Sequence, residues 1–188
     1  MKKIIFNVLG LISFSAIGFV VYLALVINDT DVFYYKSARF CSDIIKPIMK
    51  SPTSYKYQSL GVLYKTEAQD VLFKQIKDKN YLKESFDEGQ LNLISYSTVV
   101  TYSSKNSHGV ELDDLASCDF IAISDLNKSL PFSTELITIN LDGKQYKEDN
   151  SPFYLNIKLK TSSLDKIGIM DKFNYFIERN KYNAHWFN

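Results

Sequence analysis

Two cysteines, two histidines and one adjacent acidic pair are the side chains whose types and spacing offer chemistry in this 188-residue chain. Cys41 and Cys118 belong to no closely spaced ligand pair, which argues against a metal site. In an oxidising compartment two lone cysteines ordinarily pair. A Cys41–Cys118 bridge closes a long loop, worth about 4 kcal/mol in lost unfolded-chain entropy. The alternative is two separate buried thiols. His108 stands in a polar stretch beside Gly109, and His185 beside Trp186 near the C-terminus. An imidazole suits a general base, but no Ser or Cys motif frames either one, so both are expected to be solvated or capping residues. Asp113-Asp114 with His108 has the donor types of a metal site, yet adjacent acids in a loop are ordinarily hydrated. No glycine-rich phosphate loop occurs. The expectation is therefore no catalytic residue, no metal ligand and no cofactor. Tyr182, His185, Trp186 and Phe187 crowd the tail, where exposed aromatics would mark a partner contact; packing back on the domain is the alternative.

Those residues follow a run, residues 4–27, that carries no charge. As a helix it spans roughly 36 Å, enough to cross a hydrocarbon core of about 30 Å. Lys2 and Lys3 precede it and Asp29 and Asp31 follow, so the positive-inside rule places residues 1–3 in the cytoplasm and residues 28–188 outside. Phe33, Tyr34 and Tyr35 fit an interfacial aromatic belt. A cleaved signal peptide has a shorter apolar region and a small-x-small exit, which Leu23–Asn28 does not supply. A lipoprotein is disfavoured by Phe40 before Cys41. A pilin-type processing motif is disfavoured by Ser15, where Glu is required after Gly10. Small residues do not recur four apart after Gly10 or Gly18, so no helix-dimer face is visible. Asn7 lies near the headgroups, and the segment reads as a plain anchor.

The net charge of +1 gives no electrostatic case for nucleic acid. Thirteen Tyr and 13 Phe against 7 Gly and 4 Pro favour β-structure with a filled core. Ala38, Cys41, Ile44, Ile45, Ile48 and Met49 recur at helical spacing, predicting a helix over 36–49 that continues from the span, with Pro47 a kink. Tyr55, Tyr57, Leu60, Val62 and Tyr64 predict a strand over 55–65. Thr66 and Gln69 fit a capping box ahead of a short helix through Val71, Leu72 and Ile76. Residues 78–90 read as a charged loop. Alternation predicts strands over 92–103 and around Ala116–Ala122, separated by a polar turn at 103–109. Ile137, Ile139 and Leu141 lead into Asp142-Gly143, a hairpin signal. Residues 153–160 alternate most cleanly of all, and Ser162 and Asp165 fit a second capping box before a helix over 164–179. The sum is an α+β domain: an N-terminal transmembrane helix, then an antiparallel β-sheet with packed helices. Asn28-Asp29-Thr30 and Asn127-Lys128-Ser129 match the glycosylation pattern, the first too close to the span to be a good acceptor.

Cys41, the run Ile45-Lys46-Pro47-Ile48-Met49-Lys50-Ser51-Pro52-Thr53-Ser54, the run Tyr102-Ser103-Ser104-Lys105-Asn106-Ser107-His108-Gly109, and Cys118-Asp119-Phe120 together resemble small bacterial cell-envelope domains of uncharacterised function. There a Cys-bearing helix ends in a Lys-Ser/Asp-Pro-x-Ser turn, and an Asn-x-x-Gly turn precedes a strand with the second Cys. The resemblance covers about 38–123. It departs at the inserted helix over 66–80 and at the C-terminal hairpin and helix. It implies a disulfide and an envelope location, and no activity. The expected function is that of a bacterial inner-membrane protein whose periplasmic domain binds another protein. Its specific forms are an immunity protein against a periplasm-acting toxin, or an accessory subunit of a secretion or envelope complex. The rival class is a hydrolase using His108.

Overall fold

The computed structural model describes residues 15, 17–49, 52–77, 79–106, 108–147, 164 and 166–182, with side chains to 179. The strand expected over 153–160, the capping box at Ser162 and Asp165, and His185, Trp186 and Phe187 lie outside the described residues.

Among the described residues five strands form one antiparallel meander in the order β1-β2-β3-β4-β5. They are β1 (Lys56–Lys65), β2 (Leu91–Lys105), β3 (Glu111–Asp125), β4 (Ser133–Leu141) and β5 (Lys144–Lys147). Helices pack on both faces, so the domain is α+β as expected. The β2 and β3 strands run longer than their alternation suggested, because their polar outer ends pair in register from Leu91↔Asp125 to Lys105↔Glu111.

Side-chain alternation sorts the sheet into two faces. On β2 and β3 the even-numbered positions, Tyr96, Val100, Tyr102, Ala116, Cys118 and Phe120, enter the main core. The odd positions Leu91, Leu93, Ile121 and Ile123 enter a second, smaller core. Bulges reset this parity at Tyr57/Ser59 on β1 and opposite Asp119/Phe120 on β4. Hence Tyr57 and Leu60, three apart, both join the main core, as do Leu136 and Ile139.

Helix α1 (Ile17–Val26) and helix α2 (Asp29–Ile45) meet at 89°. The predicted continuous helix is thus corrected to two. Asn28 is the reason: its backbone is extended, and its Oδ1 accepts the Thr30 N–H at 3.0 Å, capping α2. Asp29 and Asp31 then sit in the first turn, where carboxylates oppose the helix dipole. α2 runs across the main core, burying Val32, Phe33, Ala38, Cys41 and Ile45. Pro47 does not kink α2; it occupies the first positions of a separate 3-10 turn, Lys46–Ile48, where its missing N–H costs nothing.

The second face is covered by α3 (Gln69–Gln75), a 3-10 turn at Lys79–Leu82 and α4 (Lys83–Asp87). The loop predicted over 78–90 is therefore corrected across 79–87, which is helical. Charges masked its apolar anchors, for Leu82 is buried beside Leu72 and Ile76, and Phe86 stacks on Phe73 at 4.0 Å. The Thr66 capping box does not form: Ala68 is the cap residue. Gln69 instead turns its amide to the sheet, donating to Leu93 O at 2.8 Å and accepting from Leu93 N at 2.9 Å. Pairing of β1 with β2 ends at Lys65↔Ser95, so Leu93, paired with Ile123 on its β3 side, has no partner on the β1 side and the Gln69 amide extends that ladder by one rung.

The last described helix, α5 (Ile169–Tyr182), begins five residues later than its periodicity suggested. Asp171 fixes that start, accepting the Gly168 N–H at 2.9 Å.

Candidate partner-binding surface

Cys41 on α2 and Cys118 on β3 form a disulfide with Cα atoms 5.8 Å apart, and both are fully buried. It pins the helix to the middle of the sheet. Around it sits an aromatic cluster in which Tyr96 stacks on Phe120 at 5.3 Å and meets Tyr34 edge-on at 5.0 Å. Ser37 Oγ lies 2.9 Å from the Tyr96 hydroxyl, satisfying a polar atom deep in the core. These residues build the scaffold; they leave no reactive group open.

The other sequence candidates are not brought together. His108 is exposed in the β2–β3 turn, where its N–H donates to Asn106 Oδ1 at 2.9 Å. The turn closes because Asn106 Oδ1 also accepts from Val110 N at 3.0 Å and Gly109 takes a φ of 78°, favourable for glycine. Asp113 and Asp114 lie on β3 rather than in a loop, and consecutive strand residues point to opposite faces. Asp113 accepts from Gln58 Nε2 at 2.7 Å, while Asp114 Oδ1 accepts the Leu115 N–H at 2.7 Å. Among the described residues no group of three or more His, Cys, Asp or Glu is placed to hold a metal ion. Tyr182 ends α5, and the rest of the aromatic tail lies beyond the described residues.

A cleft of about 500 Å³ runs between α2 and α5, lined by Tyr35, Lys36, Arg39, Leu164, Asp171 and Glu178. Four of its charged side chains are paired across it. Lys36 Nζ is 3.2 Å from Asp171 Oδ2, and Arg39 is 3.6 Å from Glu178 while stacking over the Tyr57 ring at 4.7 Å. Burial, then the Glu178 charge, holds the Tyr35 phenol protonated well above its ordinary range. These groups fasten two helices and present no nucleophile.

What sequence reasoning missed is the far half of the sheet's second face, the part that α3 and α4 do not cover. Its floor is built from small side chains: Ser59 and Gly61 on β1, Ser97, Val99 and Thr101 on β2, Ser117 on β3. Polar atoms there are paired across strands. Ser59 bonds Thr101, Ser97 donates to Asp119 at 2.5 Å, Lys65 reaches the same carboxylate at 2.8 Å, and Asn140 donates to Ser117 at 3.2 Å. Leu63, 61% exposed, and Leu115, 53% exposed, stand up from this floor. The registers Gly61↔Val99, Leu63↔Ser97, Val99↔Ser117 and Thr101↔Leu115 put Leu63, Val99 and Leu115 on one diagonal across three strands. The result is a flat surface with satisfied polar groups and an apolar stripe, the make-up of a protein-recognition patch. The signal was present in the sequence as odd-numbered apolar residues at 63, 99 and 115. Nothing marked them as neighbours before the registers were known.

Comparison with protein-family models, with curated proteins and with solved structures finds no match.

Proposed function

We propose that this chain is a single-pass protein of the bacterial inner membrane, anchored by residues 4–27 with its N-terminus in the cytoplasm, and that its periplasmic domain binds another protein without catalysing a reaction. Among the described residues no single helix is long and apolar enough to cross a membrane, and residues 4–14 lie outside them. The anchor reading therefore rests on the uncharged run itself. The disulfide supports an oxidising location.

The observation that carries the binding reading is the Leu63–Val99–Leu115 diagonal, exposed at Leu63 and Leu115 and half-buried at Val99, on a hydrogen-bonded, small-residue floor. Water gains nothing from solvating that stripe, and a partner that covers it buries apolar area without stranding a polar atom. The partner in the leading form is a toxin acting in the periplasm, which makes this an immunity protein; the second form is an accessory subunit of a secretion or envelope complex. Photo-crosslinking from Leu63 and Leu115 in intact membranes tests the reading. Both positions should capture the same polypeptide, with none from exposed Lys74 on α3. If the two positions yield no common adduct, the binding reading fails. Replacing His108 by Ala addresses the hydrolase alternative: loss of a measurable activity of the domain would establish it.

A further inference from the structure

Helix α5 is built the wrong way round for a helix facing water. A helix on a soluble domain turns its apolar stripe inward and its charges outward. On α5 the charged side chains of Asp171, Lys172 and Glu178 are largely covered, while Asn174 and Arg179 stay exposed. Lys172 is 13% exposed, Glu178 16% and Asp171 32%, against 41% for Ile169, 64% for Met170 and 47% for Ile177. The charges point to α2 and to the end of α1, where each has a partner: Asp171 with Lys36, Glu178 with Arg39, Lys172 with Asp29 at 2.6 Å.

Ile169, Met170, Phe173, Phe176 and Ile177 fall on one side of α5 at spacings of three and four. The middle of that stripe is covered by α1. Phe19 meets Phe173 at 6.2 Å and Phe176 at 5.6 Å, and Tyr22 meets Phe176 at 6.2 Å. On α1, Ile17, Val20, Val21, Leu25 and Val26 are also exposed. The two helices thus share one apolar surface. They are tied at their ends as well, since Lys172 Nζ donates to Ala24 O at 3.1 Å and Ile27 O at 3.2 Å, carbonyls that a helix terminus leaves open.

We infer that α5 is seated in the outer leaflet beside the exit of α1, with Ile169, Met170 and Ile177 against lipid. The occupant of the surface is the bilayer because α1 follows in sequence on residues 4–16, a stretch with no charged residue. Ion pairing covers Asp171, Lys172 and Glu178, and the exposed Arg179 keeps the Asp31 carboxylate of α2 near it, which is how α5 approaches lipid with its charges partnered. The bend of 89° after α1 then places α2 across the span axis, above the membrane surface. The domain is held in one orientation instead of swinging on a tether. This inference rests on the anchor reading above.

The two native cysteines are bonded to each other, so one introduced cysteine is the only free thiol. The test places a nitroxide label at Met170→Cys or Ile177→Cys in the full chain, reconstituted in phosphatidylcholine/phosphatidylglycerol vesicles. Leu25→Cys on α1 and Leu63→Cys on the sheet serve as references. Collision with oxygen is compared with collision with a water-soluble nickel chelate. The expected result is that labels at 170 and 177 favour oxygen several-fold, as the Leu25 label does, while the Leu63 label favours the chelate. Labels at 170 and 177 that behave like Leu63 while Leu25 favours oxygen overturn the inference and leave the anchor standing. A Leu25 label that favours the chelate removes the anchor reading and this inference with it. Labels shielded from both reagents show a protein surface over the stripe and also overturn it.

Discussion

Glu111 and Asp31 are carboxylates shifted in opposite directions, and the contrast shows how local environment sets acid response. Glu111, at the start of β3, accepts from Ser103 Oγ at 2.9 Å and faces Lys56, and these hold its carboxyl below the ordinary 4.5. Asp31 is raised above 3.8 because burial outweighs the nearby Arg179 charge and the Tyr175 hydroxyl. The signs follow from linkage. The depressed Glu111 contributes stability that is present above its unfolded value and lost as pH falls through its folded one. The raised Asp31 contributes stability that is present below 3.8 and lost as pH rises through its folded value. Unfolding midpoints measured between about pH 3 and pH 7 should therefore fall less steeply below pH 4.5 in Glu111→Gln than in the parent. Asp31→Asn should fall more steeply, since it loses an opposing contribution. Equal slopes for all three proteins would contradict both assignments.

At the scale of the element, two side-chain amides replace backbone where the backbone runs out. Asn28 begins α2 and separates it from α1, and Gln69 supplies the rung that β1 no longer gives Leu93. Asn28→Ala removes a cap worth about 1 kcal/mol. It should lower the thermal midpoint in detergent by a few degrees while keeping the disulfide, and Asn28→Asp should restore most of the loss. Gln69→Ala leaves both Leu93 backbone groups unpaired beside the smaller core, at about 1–3 kcal/mol. Amide exchange at Leu93 should accelerate in that variant, and Gln69→Glu, which keeps the acceptor but loses the donor, should recover only part of the protection. Unchanged exchange at Leu93 would mean that its groups are satisfied by other means.

For the whole molecule, the disulfide and the helix layers decide how three parts hold together. The Cys41–Cys118 bridge spans 77 residues of sequence, and the chain-entropy argument gives about 4 kcal/mol for such a loop. Cys41→Ala/Cys118→Ala should lower unfolding free energy by that order, measured by urea in detergent. A loss under about 1 kcal/mol would show that packing of Phe33, Tyr96 and Phe120 alone positions α2. The sheet lies between α2 on one face and α3 with α4 on the other, while α1 and α5 sit outside α2. The domain therefore presents two unlike apolar surfaces: the Leu63–Leu115 stripe on a polar sheet, and the α1/α5 pair. Their different surroundings, hydrogen-bonded polar side chains in one case and more apolar side chains in the other, suit them to different media.

Alternation and helical spacing by themselves determined the α+β class, the Asp142-Gly143 hairpin and the identity of most core residues. Those patterns arise wherever one face of an element is buried, and they are printed locally in the chain. Asp142 and Gly143 do take φ of 52° and 71°, as the two-residue turn demands. The pairing of Cys41 with Cys118 was legible from their number and context. Only the tertiary structure decided the break at Asn28, the use of Gln69, the helical state of 79–87, and the meeting of Leu63, Val99 and Leu115. Each depends on a partner far away in sequence: an open strand edge for Gln69, the second core for Leu82 and Phe86, the strand registers for the three apolar residues. The outward turn of Ile169, Met170 and Ile177 on α5 belongs with them. Its composition is that of any amphipathic helix, and which side faces outward is settled by the charges that α2 holds ready for Asp171 and Glu178 and by the Asp29 carboxylate and α1 carbonyls that take Lys172.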